Sequence, residues 1–210
     1  MQIGIIASQG GADEALGLAE DAEAHGWDGF FTWDGIWARV RPGTRERAER
    51  LDESLAILDL ASHGVPFSFS GVHHRLSDVA VVPRPVQRPR VPVWVVGASP
   101  SERSMRRAAR WDGVVLQLLR SADEPTPEQV AEVAAWIAEE RGRLRAEGIP
   151  LGGTFEIVVS GRLPADPAAA AARIEQLGDA GATWWVEAWW EPKDTPAALR
   201  ERVRQGPVAG

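Results

Sequence analysis

Between Val91 and Val114 the chain reads VPVWVVGASPSERSMRRAARWDGV, a run of β-formers, a small-residue corner and then a helical pattern. Val93, Trp94, Val95 and Val96 carry no polar alternation, which predicts a parallel strand covered on both faces. Gly97, Ala98 and Ser99 follow at once, and a helix is predicted from Pro100 with Ser101 in its first turn. A corner of this kind aims free backbone N–H groups out of the carboxyl end of a strand, where α/β proteins hold phosphates. The competing reading is an ordinary helix start in which Ser99 and Glu102 form a capping box. Glu102 would repel an incoming anion, and Arg103, Arg106 and Arg107 would offset that repulsion.

Other residues able to do chemistry cluster at predicted strand ends. Trp33, Asp34 and Trp37 follow the second strand, and Asp34 is either a base, a hydrogen-bond partner for a ligand, or a cap on the following loop. Gln117 and Glu187 stand near the carboxyl ends of later strands, and a buried Glu187 needs a partner. Trp184, Trp185, Trp189 and Trp190 either wall a site or enter the core, since alternation along a strand sends about half of them inward. His73 and His74 are adjacent on a predicted strand and point to opposite faces, so together they make no metal chelate.

The charge balance is 23 − 30 = −7, which argues against a nucleic-acid surface and against docking on anionic lipid. The chain has no cysteine, so it has neither disulfides nor thiolate chemistry. No apolar run is long enough to predict a transmembrane helix, and the MQIGIIASQGG start carries no basic leader, so a cytoplasmic location is expected. Ten Trp and no Tyr mean that every large polar-tipped ring must find a partner for an indole N–H.

Strands that position these residues are predicted over Ile3–Ala7, Gly29–Trp33, Pro92–Val96, Gly113–Leu118, Phe155–Ser160 and Thr183–Ala188. Helices between them end at Gly26, Gly64, Gly148 and Gly181. Ser99-Pro100, Thr126-Pro127, Asp166-Pro167 and Thr195-Pro196 each put a capping side chain before a proline at the first helical position. Trp-Asp-Gly joins a predicted helix to an apolar strand twice, at 27–29 and 111–113. One βα unit iterated in this way predicts a parallel sheet. Phe67–His74 breaks the rhythm as a small antiparallel hairpin turning at Ser70-Gly71, followed by the extended Pro83–Pro92. The arginine-rich stretches Arg103–Arg110 and Arg141–Arg145 read as solvated helix faces.

Several blocks carry a family likeness: AEDAEAHGWDGFFTWDG (19–35), RAERLDESLAILDL (47–60), FSFSGVHHRL (67–76), PRPVQRPRVPVWVVG running into RRAARWDGVV, GATWWVEAWW, and RVRQGPV. In this order, spanning most of the chain, they resemble the luciferase-like monooxygenase family, flavin- or F420-dependent oxidoreductases on a (β/α)₈ barrel. The likeness is nearest to F420-type members. It implies one α/β domain over 1–210, an incomplete or rearranged TIM-type barrel with about six parallel strands and a hairpin insertion. It further implies FMN or F420 held at Gly97, Ala98, Ser99 and Ser101, and a small-molecule substrate lined by Trp33, Trp37, Gln117 and Trp189. Asp34 and Glu187 are the candidates for catalysis.

Departures from the family pattern temper these implications. The family barrel is about 250 residues, and the interval Ile36–Glu46 stands where relatives carry roughly two further βα units. That region holds the strand with the flavin-supporting non-proline cis peptide, the end of an LSGGR block, and helices of the usual dimer. Trp33-Asp34-Gly35 also stands where the family usually has Trp-Asp-His. Two readings follow: a shortened oxidoreductase, or a non-catalytic cofactor-binding relative or partner subunit. Six strands leave an open side, so a homodimer or a paralogous partner is expected across it.

Overall fold

Residues 1–7, 11–32, 43–119, 124–189 and 195–207 are described by the computed structural model. In chain order the elements are β1 (Gln2–Ala7), α1 (Ala12–Ala24), β2 (Gly29–Thr32), α2 (Thr44–Ser62), β3 (Phe67–Ser70) and β4 (Arg75–Val79). Then follow β5 (Trp94–Ser99), α3 (Glu102–Ala109), β6 (Gly113–Leu118), α4 (Pro127–Ala146) and β7 (Glu156–Gly161). The chain closes with α5 (Pro167–Asp179), β8 (Trp184–Glu187) and α6 (Pro196–Arg204). None of these helices is long and apolar enough to cross a membrane. The residues group into two compact units, Met1–Gly35 with Trp94–Gly210, and Ile36–Val93.

The larger unit is the parallel α/β architecture that the repeated joints predict. Its six strands run in the order β2-β1-β8-β7-β6-β5, each pair parallel. Helix starts follow the predicted device at three places: Thr126, Asp166 and Thr195 cap α4, α5 and α6 by accepting from Gln129, Ala169 and Ala198 N–H, with proline next in each case. The predicted stops at Gly26, Gly148 and Gly181 all have positive φ, the left-handed turn that ends a helix without a Cβ penalty.

The fourth cap fails. Ser99 is the last residue of β5, paired with Leu118, and its carbonyl accepts from Leu119 N–H at 2.8 Å. The ladder holds Ser99 extended, so the chain turns at Pro100 and Ser101 and α3 starts at Glu102. Ser101 is the N-cap, with no side-chain cap bond. No Ser99–Glu102 capping box forms.

One face of the sheet carries an aromatic interior. Val158, Trp184 and Val186 form its buried centre, with Ile6, Phe31, Trp94 and Val115 packed on them, so all six strands contribute. The rings of Phe31, Trp94 and Trp184 meet mutually at centroid distances of 5.3 to 5.9 Å. This packing accounts for the repeated glycine of the Trp-Asp-Gly joints. A Cβ on Gly29 would lie 2.9 Å from the Trp184 ring, and one on Gly113 would lie 2.7 Å from Trp94. The aspartate of the first joint instead ties strands, its Oδ2 accepting from Ile3 N–H at 2.8 Å.

On the opposite face Ile5, Val114, Val159 and Trp185 are fully buried. Arg141 corrects the expectation of a solvated arginine face. It is 3% exposed and donates to the carbonyls of Ala109, Trp111 and Gly152, fastening α4 to the end of α3. The Ala109 and Trp111 carbonyls lie at the end of α3 and that of Gly152 in the loop before β7, and one guanidinium fork satisfies all three.

The smaller unit holds α2 and the antiparallel pair β3–β4, with Phe67 opposite Val79 and Ser70 opposite Arg75. The hairpin turn is Gly71–His74 rather than Ser70-Gly71, closed by Gly71 N–H donating to His74 C=O at 2.8 Å. His73 and His74 therefore sit in the turn, not on a strand. The cause is Glu53 of α2, whose carboxylate accepts from the N–H groups of Val72, His73 and His74. A Cβ on Gly71 would overlap that carboxylate, so glycine is required there.

Candidate functional site

Alternation from the aromatic interior sorts the predicted site residues into three separate places. Trp33, Asp34 and Trp37 lie outside the described residues, as does Trp190.

The first place is the inward face at the carboxyl ends of β5, β6 and β7. Trp94, Val115 and Val158 point inward, so Val96, Ala98, Gln117 and Ser160 share that face one or two steps on. Ala98 and Gln117 are paired neighbours. Toward the amino ends this face is sealed by indole rings, whereas Val96 is 47% exposed and Gln117 is exposed. The result is an open mouth with an apolar floor and a carboxamide at its rim.

The second place lies on the outer face, between α3 and α4. Gly97 points there: a Cβ on it would meet Val114, Met105 and Ala108. Ser99 lines a cavity of about 450 Å³ with Met105, Val133, Trp136, Glu102 and Glu132. The free-amide corner expected from Gly97-Ala98-Ser99 is largely occupied by the chain itself. Ala98 N–H donates to Ser104 Oγ at 3.0 Å, Ser101 N–H donates to Ala98 C=O at 2.8 Å, and Pro100 has no N–H. Ser104 Oγ also donates to Val96 C=O at 3.4 Å. The α3 hydroxyl thus satisfies the outer edge of β5, an end strand that would otherwise expose unpaired groups. Sequence reasoning missed Ser104 because only the edge position of β5 makes it matter.

The third place lies beyond β8. Glu187 is 1% exposed and shares the outer face with Trp185. Its Oε2 accepts from Trp185 Nε1 at 3.2 Å and Leu163 N–H at 3.3 Å, and its Oε1 accepts from Trp189 Nε1 at 2.9 Å. Arg202 Nε lies 3.7 Å from Oε1. Two of the tryptophans expected to wall a site are donors to this carboxylate. Arg202 opens the RVRQGPV block that carries part of the family likeness, but the sequence alone gives it no role. Burial pulls its guanidinium below the ordinary value, against the opposing pull of Glu187. Gln117 and Glu187 therefore stand on opposite faces of the sheet and do not act on one ligand there.

In the smaller unit the Glu53 carboxyl has a clear electrostatic signature. Burial pushes it up, but the turn amides of Val72 and His73 and both the ring and the amide of His74 prevail and hold it at about 2. His73 Nε2 lies 3.1 Å from Glu49 Oε2. Among the described residues no group of three or more His, Cys, Asp or Glu is placed to hold a metal.

A model of the luciferase-like monooxygenase family matches residues 8–206, and the chain belongs to that family. No curated protein sequence matches it. Among solved structures, an F420-dependent secondary alcohol dehydrogenase in complex with an F420-acetone adduct superposes with a TM-score of 0.69 at 12% identity, covering 97% of this chain and 98% of that one. The coenzyme F420 dependent tetrahydromethanopterin reductase from Methanopyrus kandleri gives 0.66 at 12% identity, covering 98% of each chain. Monooxygenase RslO1 from Streptomyces bottropensis gives 0.54 at 16% identity, covering 77% of this chain and 60% of that one. At these identities the superpositions establish the fold.

Proposed function

We propose that the protein is a flavin- or F420-dependent oxidoreductase acting on a small organic substrate, with the cofactor ring seated in the mouth at the carboxyl ends of β5–β7. The exposed inward row of Val96 and Gln117 above a packed aromatic floor carries this reading. A flat tricyclic ring needs an apolar surface with a few polar groups at its edge, which Val96, Ala98 and the Gln117 amide supply. The family match and the two F420-dependent neighbours support the cofactor class.

The residues fit the two ends of such a cofactor differently. The ring end fits the mouth. At the anionic end, the corner offers the hydroxyls of Ser99 and Ser101 rather than free amides at Ala98 and Ser101, and Glu102 and Glu132 line the adjoining cavity. When bound, the cofactor supplies the hydride or oxygen chemistry. Val96 and Ala98 would support the ring, and the Gln117 amide would reach a polar group at its edge.

Trp33-Asp34-Gly35, where the family pattern leads one to expect a histidine, favours a second reading, a cofactor-binding relative without turnover. Titration with FMN and with F420, followed by absorbance, tests the shared claim, and a turnover assay with bound cofactor then separates the two readings. Saturable binding that weakens on Gln117→Leu is expected. No binding of either cofactor overturns both. Self-association across the side between β2 and β5 belongs to the same proposal and is read by light scattering.

A further inference from the structure

The inward row that crosses the mouth runs Ala98, Gln117, Ser160 and Val186. Ala98 pairs with Gln117 across β5 and β6, and Ser160 pairs with Val186 across β7 and β8. Val115 pairs with Val158 across β6 and β7. Gln117 and Ser160 each follow two residues later, which sets them side by side on the same face.

Two polar side chains thus stand adjacent in a row that is apolar at both ends, with Ala98 on one side and buried Val186 on the other. The row beneath, Val96, Val115, Val158 and Trp184, is wholly apolar. Gln117 and Ser160 are therefore the first polar groups met above the packed floor. Among the described residues neither side chain has a hydrogen-bond partner. An inward hydroxyl and carboxamide are costly when dry and unpaired, so a ligand or water must supply their partners.

Their chemistry specifies the ligand edge they suit. A carboxamide presents an acceptor and a donor in either order, and a hydroxyl adds a second donor. Donor, acceptor, donor is the complement of a pyrimidinedione edge, whose N3–H lies between C2=O and C4=O. Adjacent strands stand about 4.8 Å apart, close to the separation of those two carbonyl oxygens. FMN and F420 both carry this edge.

We propose that Gln117 and Ser160 read the pyrimidinedione edge of the bound cofactor. Gln117 pairs with N3–H and one flanking carbonyl, and Ser160 donates to the other. The inference rests on the seating of the ring in the mouth and goes beyond it by fixing which end of the ring faces β6 and β7. The benzenoid end then points away from these two strands, and a ring alkylated at N3 loses its match.

Titration of the full chain with FMN, with F420, and with the N3-methyl derivative of whichever binds tests it. N3-methylation should weaken binding by about tenfold or more. Ser160→Ala should weaken the unmodified cofactor by about tenfold in a protein that still melts cooperatively. Ser160→Thr keeps the hydroxyl on a β-branched side chain suited to a strand, and should bind as the parent does. The Raman bands of C2=O and C4=O should move to lower frequency on binding to the parent. One of them should return toward its free position in Ser160→Ala, a change that a purely structural serine would not produce. Cofactor binding that is indifferent to N3-methylation, or that keeps its affinity and carbonyl bands in Ser160→Ala, overturns this inference and leaves the ring in the mouth by another edge. Binding of neither FMN nor F420 overturns the cofactor reading together with it.

Discussion

Phe31 on β2 and Trp94 on β5 pack with their ring centroids 5.9 Å apart, so the two end strands of the parallel sheet meet through aromatic side chains rather than through backbone hydrogen bonds. Trp184 completes the group and floors the mouth above it. The six strands therefore curl around a shared interior with no strand between β2 and β5 in the sheet order.

That contact predicts a split between two substitutions. Trp94→Ala removes the ring and should cost about 3 kcal/mol. Trp94→Phe keeps a ring and deletes an indole N–H that is buried without a partner among the described residues. It should therefore leave stability within about 1 kcal/mol of the parent. Urea unfolding of both variants measures the difference, and equal losses would show that the ring contact is not what joins the edges.

Ser104→Ala removes the hydroxyl that serves Ala98 N–H and Val96 C=O on the outer edge of β5. A loss of about 1 kcal/mol is expected from the orphaned groups. Ser104→Thr, which keeps the hydroxyl, should restore most of it. Hydrogen exchange at Ala98 reports the same event locally, with faster exchange in the alanine variant alone.

The clasp between Glu53 and the hairpin turn predicts a pH dependence. The folded carboxyl sits at about 2, against 4.5 when unfolded. A depressed carboxyl stabilises the fold above its unfolded value and loses that contribution as pH falls toward its folded value. Thermal melts should therefore hold steady above about pH 5 from this group and fall between pH 4.5 and 2. Glu53→Gln should flatten that part of the curve and lower stability at pH 7. Gly71→Ala should act in the same direction, because its Cβ displaces the carboxylate.

The strand ends were legible to within two residues over most of the sheet, because each apolar run ends at a turn-forming residue. The paired blocks RAERLDESLAILDL and FSFSGVHHRL, read as family marks, turn out to be the two halves of the Glu53 clasp. Ser99 misled because Ser-Pro-Ser-Glu is a strong capping pattern, while the ladder to Leu118 and Leu119 that overrides it is non-local. Arg141 misled for the same reason: its acceptors lie 11 to 32 residues away. At the candidate site, the sequence places both Gln117 and Glu187 near the carboxyl ends of strands, and Gln117 lies exposed on the inward face near the end of β6. Nothing local shows that Glu187 faces the other way, toward Leu163 and Arg202.

Glu187 is a structural carboxylate in this account. Glu187→Gln should cost about 3 kcal/mol by leaving Arg202 buried beside a neutral amide. Cofactor affinity should be unchanged, because the side chain is on the outer face. A variant that stays stable and loses turnover would instead return Glu187 to the catalytic list.

The mouth of the curled sheet is tested most directly by titrating FMN and F420 into the parent protein and into Ala98→Trp. The new indole projects from β5 beside Gln117 and fills the space claimed for the ring. Saturable binding in the parent and a loss of about a hundredfold or more in the variant, with its cooperative melt intact, is the predicted result. Equal affinity in the two proteins would contradict the account.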